Sequence, residues 1–151
     1  MINLRTFKYW LTGLCCIWSL TAAAGELVWF DGRSPVTYTL DRKADVVVKT
    51  ALSLFSEDMR QVTGMPAMPS RKGKIRIVQR RGSDDGFRIY VRKSQIVVEG
   101  HNARGTAYGI LELSRMAGVS PWVWWGDVVP ERKDRLAIDS DFKSEHVPSV
   151  A

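Results

Sequence analysis

The sequence is poor in the residues that most often carry out chemistry. Of 151 residues, two are cysteine and two are histidine. Cys15 and Cys16 stand together in an apolar stretch near the start, so everything after them lacks a thiol. Beyond that stretch, this excludes a disulfide framework, a thiolate zinc site and a cysteine nucleophile. His101 and His146 form no HExxH pair, and His101 reads as a turn residue between a strand and a helix cap. There is no nucleophile elbow, phosphate loop or catalytic triad. Gly105 and Gly109 lack the G-x-G that opens a dinucleotide fingerprint. The longest apolar run, Tyr9 to Leu20, falls short of the ~20 residues a membrane-spanning helix needs. No metal, no cofactor and no catalytic residue is expected from these residues, and no stable membrane span after removal of a leader.

Charge is abundant but dispersed. The net charge is +6, with hydrophobic content of 45% and charged content of 25%, both ordinary for a globular domain. Arg5 and Lys8 supply two of those charges, leaving +4 on the rest. Basic knots occur only at Arg71-Lys72-Lys74 and Arg80-Arg81, without finger spacing, an arginine-rich helix or an RNA-recognition motif. The reading is a solvated basic surface and no nucleic-acid partner. Among the acids, Glu57-Asp58, Asp84-Asp85, Asp139 and Asp141 lie near one another in sequence, yet none sits in an apolar run that would raise its pKa for acid catalysis. All are expected to be solvated surface charge.

What is present reads as a leader followed by one domain. Residues 1–24 combine Arg5 and Lys8, an apolar stretch and the small residues Thr21 to Ala24, the layout of a secretory signal peptide. The expected destination is the periplasm or beyond. Leu27 to Phe30 and Thr37 to Leu40 read as strands on either side of an Asp31-Gly32 turn. A helix is expected from about Asp41, where Val48, Leu52, Phe55, Met59 and Val62 lay a stripe at helical spacing. Gly64 and Pro66 end it. Lys74 to Val78 is a third strand. Phe87, Ile89 and Val91 alternate with Arg88, Tyr90 and Arg92, giving a strand with one apolar and one polar face. Lys93-Ser94 turns it into the partner strand Gln95 to Gly100. Asn102 caps a second helix that Gly118 closes. Its stripe comprises Ala107, Ile110, Leu111, Ser114 and Ala117, while Arg104, Tyr108, Glu112 and Arg115 share a polar face. The two glycines of this helix, four apart, each cost about 1 kcal/mol against alanine, so close approach to a sheet is expected there. The pattern gives an α/β (α+β) two-layer sandwich, a mixed sheet with both helices on one face. Leu136 to Asp139 adds an edge strand. The domain is assigned to 25–139 and a linker to 140–151.

After Pro121 comes the most unusual stretch. Trp122, Trp124 and Trp125 fall within four residues, half of the six tryptophans in the chain, followed by Gly126 and Asp127. That much indole must be buried, meet another domain or stack on a ligand. Trp29 and Phe30 are expected to join the same cluster.

The string GTAYGILELSRMAGVSPWVWWGDV closely resembles a segment of glycoside hydrolase family 115, whose characterised members are xylan α-1,2-glucuronidases. Its first part, a hairpin, GxxxG and a helix, also resembles the N-terminal domains of β-hexosaminidases and of family 67 glucuronidases. The resemblance covers roughly Leu27 to Val150. It implies an N-terminal accessory domain ahead of a catalytic (β/α)8 barrel that residues 1–151 do not reach, with the catalytic residues on that barrel. It further implies hydrolysis of (4-O-methyl)glucuronic acid branches from xylan, with inversion and without a redox cofactor. Trp122, Trp124, Trp125 and Asp127 are then contact residues, either for the barrel as partner or for glucuronoxylan. The alternative is a stand-alone carbohydrate-binding or protein-interaction module built on the same tryptophans.

Overall fold

In a computed structural model of the chain, residues 25–126 and 128–147 are described, apart from the side chains of Trp124 and Trp125. The expected signal peptide lies outside the described residues. The first strand, β1 (Glu26–Phe30), leads through the Gly32 turn to β2 (Thr37–Thr39). Helix α1 then runs over Val46–Thr63. It starts later than Asp41 because Asp41 folds its own turn: its carboxylate accepts from Lys43 N at 2.9 Å, and its carbonyl accepts from Ala44 N at 3.1 Å. Asp45 is the cap, accepting from Val47 N at 2.9 Å. The stripe Val48, Leu52, Phe55, Met59 and Val62 is buried along its whole length. Each such side chain contributes about 1.5–3 kcal/mol on leaving water.

Two-residue β3 (Met68–Pro69) follows, then β4 (Ile75–Gln79), β5 (Phe87–Arg92) and β6 (Gln95–Gly100). Helix α2 spans Ala103–Ala117, and a single turn, α3, spans Val123–Gly126. The last strands are β7 (Leu136–Asp139) and β8 (Lys143–His146). The main sheet has six strands in the order β3-β2-β4-β6-β5-β8. β2, β3, β4 and β6 run parallel where they pair, and β5 is antiparallel to both β6 and β8. The mixed sheet under two helices is therefore the expected sandwich.

Several details depart from the sequence reading. β1 does not enter the main sheet but pairs antiparallel with β7, Glu26 opposite Asp139 and Phe30 opposite Leu136. Trp29, Phe30, Leu136 and Ile138 are buried, so this small sheet closes the core at one end. Trp29 and Phe30 are therefore core residues. Lys143–His146, in the stretch read as linker, adds a sixth strand beside β5. The stacked rings of Phe87 and His146, 4.7 Å apart, hold it there.

On α2 the buried arc is centred on Thr106, Ile110 and Leu113, and Leu111 is 39% exposed rather than part of the stripe. The glycines account for the displacement. A β-carbon on Gly105 would strike the carbonyl of Gly86, and one on Gly109 would meet Val98 and Phe87. That side of the helix therefore lies directly on β5, β6 and the loop before them, which turns Leu111 outward.

Candidate functional site

The segment carrying the tryptophans is built from α2 onward. Asn102 accepts from Gly105 N at 2.8 Å, and its side-chain amide donates to Asp85 at 2.7 Å. Arg104 Nε donates to the same carboxylate at 3.1 Å. Asp84 accepts from Gly86 N at 2.8 Å and lies 2.6 Å from His101 Nδ1. The Gly86 amide and then His101 hold the Asp84 carboxyl below its usual range. Asp84 and Asp85 thus tie the loop before β5 to the start of α2. They point at different partners and do not form a carboxyl pair flanking a common space.

At the other end of α2, Gly118 adopts a left-handed φ of 107°, and its N–H and that of Val119 return to the last turn. Ser120 caps the next turn: its hydroxyl accepts from Trp122 N at 3.2 Å, and its carbonyl accepts from Val123 N at 3.0 Å. Trp122 stands out from this turn, 67% exposed. Trp124 and Trp125 follow on α3, and Asp127 lies outside the described residues. Val128 and Val129 beyond it are exposed, as are Tyr108 and Leu111 on α2. Trp122 is exposed, whereas Trp29 is buried and does not share that surface.

The acids read as solvated divide into two groups. Glu57 pairs with Arg60, and Glu112 accepts from Arg115 at 2.7 Å and 2.5 Å; both carboxyls are held low by these partners. Asp58 departs from the expectation. It is buried between the two helices, and burial pushes its pKa up. Ser114 of α2 approaches closely enough to offset part of that effect, yet its buried hydroxyl reaches no hydrogen-bond geometry among the described residues. The cause is helix phase: Asp58 falls beside Phe55, Met59 and Val62 on the arc that meets α2.

A second site went unread in the sequence, on the sheet face away from the helices. Glu99 on β6 is buried there beneath Arg80, Arg88 and Tyr90, with hydrogen bonds of 3.2, 2.7 and 3.1 Å. Burial works against its ionisation, but the hydrogen bonds from Arg80, Arg88 and Tyr90 outweigh it, and the pKa is lowered. The Arg88 guanidinium stands 5.6 Å over the Tyr90 ring. The alternation of β5 announced half of this face. The rest depended on register, which places Arg88 beside Glu99 and Tyr90 beside Val97.

Among the described residues, no cluster of three or more His, Cys, Asp or Glu could hold a metal ion, and no helix is long and apolar enough to cross a membrane.

No family model matches the sequence, and no curated protein matches it. Solved structures do. A family GH115 4-O-methyl-α-glucuronidase, BtGH115A, with specificity for decorated arabinogalactans, is 32% identical with a TM-score of 0.76. The match covers 82% of this chain and 19% of that one. The N-acetyl-β-hexosaminidase of Streptomyces plicatus matches at 15% identity and a TM-score of 0.56, over 83% of this chain and 24% of its own. The GH20 β-N-acetylhexosaminidase of Streptomyces coelicolor A3(2) matches at 18% and 0.54, again over 83% and 24%. The hexosaminidases share the fold, that of their N-terminal domain. The chain spans about a fifth to a quarter of the length of these enzymes. In sequence and fold together, this chain is similar to a domain of a glycoside hydrolase family 115 enzyme.

Proposed function

We propose that this chain is the N-terminal accessory domain of a secreted glycoside hydrolase that removes glucuronic acid branches from a plant polysaccharide. Its role is to buttress a catalytic barrel, and it performs no turnover alone. The observation that carries this reading is the match itself: 82% of this chain corresponds to 19% of a glucuronidase, at 32% identity. The exposure of Tyr108, Leu111, Trp122, Val128 and Val129 supports it, because a domain that sits against a neighbour leaves apolar side chains uncovered when isolated. The resemblance to xylan-acting enzymes favours glucuronoxylan as substrate, and BtGH115A's preference favours decorated arabinogalactan. The chemistry common to both is the glucuronate branch.

A second reading rests on Trp122, whose exposed indole could stack on a sugar ring in a stand-alone binding module. Two assays address them. The purified chain is incubated with glucuronoxylan, and free (4-O-methyl)glucuronic acid is measured. The accessory reading expects none, and release above background overturns it. Retardation in a glucuronoxylan gel that Trp122→Ala abolishes supports the binding module instead.

A further inference from the structure

The sheet face opposite the helices is dominated by one sign of charge. Register sets Arg76, Val97, Tyr90 and Lys143 in one row across four strands, and Val78, Glu99, Arg88 and Glu145 in the next. With strands about 4.8 Å apart, the first row reaches about 14 Å from Arg76 to Lys143. Two depressions flank Tyr90. One, of about 280 Å³, is lined in part by Arg76, Arg92 and Lys93. The other, of about 380 Å³, is lined in part by Arg88, Asp141 and Lys143. A third, of about 530 Å³ at the edge of β4, shares Arg76 and Val78 with the first and is bordered by Lys43, Arg81 and Asp41. The result is an open trough running across the strands, a shape that suits an extended chain better than a compact ligand.

Arg76, Arg80, Arg88, Arg92, Lys93 and Lys143 border the part around Tyr90, against the carboxylates Glu99, Asp141 and Glu145. The surplus of three is half of the chain's net +6. Glu99 is already satisfied by Arg80, Arg88 and Tyr90. Arg76, Arg92 and Lys93 have no ion-pair partner among the described residues. We propose that this trough binds a polysaccharide bearing uronate groups, with Arg76 and Arg92 gripping its carboxylates. The choice of glycan rests on the glucuronidase reading above, while the preference for an anion rests on the face itself.

Guanidinium forks match carboxylates bidentately. Single cations several ångströms apart fit carboxylates borne on separate sugar units. Duplex DNA presents one charge per about 1.7 Å of axis, and the three acids on this face oppose so dense an array. Tyr90, held between Glu99 and Arg88, offers a fixed aromatic edge between the two depressions.

The test is affinity electrophoresis of the full chain through gels containing glucuronoxylan, the same polymer after carboxyl reduction, or none. Retardation is expected only with the native polymer, and it should fade in about 0.5 M salt as the ionic contacts are screened. Arg76→Gln with Arg92→Gln should weaken retention about tenfold, a modest loss for two charged hydrogen-bonding groups. Arg76→Ala with Arg92→Ala should do the same, and Trp122→Ala should change nothing. Both arginines are exposed, so unaltered thermal melts will show that the variants fold. Equal mobility in all three gels overturns the proposal, as does retention that survives carboxyl reduction. Displacement of the glycan by a single-stranded DNA oligonucleotide at lower charge concentration would reassign the face to nucleic acid and overturn it too. None of these outcomes bears on the accessory role, which replacement of the domain within an active enzyme tests separately.

Discussion

A β-carbon built on Gly109 of α2 would lie 2.6 Å from Cγ1 of Val98 on β6. The helix and the sheet are thus closer than any side chain at that position permits. Gly109→Ala gains up to about 1 kcal/mol of helix propensity but overpacks the contact at about 1–3 kcal/mol, for a net loss of about 1 kcal/mol in urea unfolding. Gly105→Ala should lose more, because it meets the backbone of Gly86 and Asp85, which cannot rotate away as Val98 can. Equal or raised stability in both variants would show that the helix has room to move.

Glu99 makes the sheet's outer face sensitive to acid. Its folded pKa lies below its unfolded value, so its stabilisation is complete above the ordinary carboxylate range and is lost as pH falls through the folded pKa. Thermal melts should therefore decline on the acid side, and less steeply in Glu99→Gln. At neutral pH that variant should lose about 1–2 kcal/mol, the value of charge-assisted hydrogen bonds discounted for half-exposed guanidinium partners.

Asp58 has the opposite sign. Burial raises its pKa, so the cost of keeping it ionised is full above the folded pKa and vanishes below the unfolded one. Asp58→Asn should raise the melting temperature at neutral pH and leave it unchanged in strong acid. A uniform fall at both pH values would instead show that the carboxylate anchors the helix pair.

The β5–β6 turn holds Lys93 and Ser94 at φ of 50° and 57°, a conformation that favours Asn-Gly. Ser94→Gly should stabilise the chain by about 1 kcal/mol, measured by chemical denaturation. It leaves the charges of the trough in place, so glycan retention should not change.

Much of this fold was legible because local signals agreed. Asn102 and Gly118 marked both ends of α2, the stripe from Val48 to Val62 marked the buried side of α1, and the alternation from Phe87 to Val91 marked the hairpin. What escaped depended on partners distant in sequence. Nothing local to Leu27 says that β1 pairs with β7 rather than joining the main sheet. Lys143–His146 has four polar residues and becomes a strand only because β5 offers an unpaired edge. The outer face escaped for the same reason: only strand pairing sets Arg76 in the row of Val97 and Tyr90 and puts Arg88 beside Glu99 in the next. Asp58 escaped because its apolar neighbours Phe55, Met59 and Val62 lie at helical spacing rather than in a continuous run. The tryptophan string was conspicuous in sequence, and of its three indoles Trp122 is described and exposed.

Substitution into a working enzyme most directly tests whether this is a glucuronidase's supporting domain. The corresponding fifth of BtGH115A would be replaced by residues 25–147 of this chain, and release of 4-O-methylglucuronic acid would be measured against the parent and against a form lacking the domain. The account predicts that the chimera folds and regains activity that the deleted form lacks, and that Trp122→Ala within it lowers the melting temperature of the whole enzyme. A chimera no better than the deletion, or a deletion as active and stable as the parent, would contradict it.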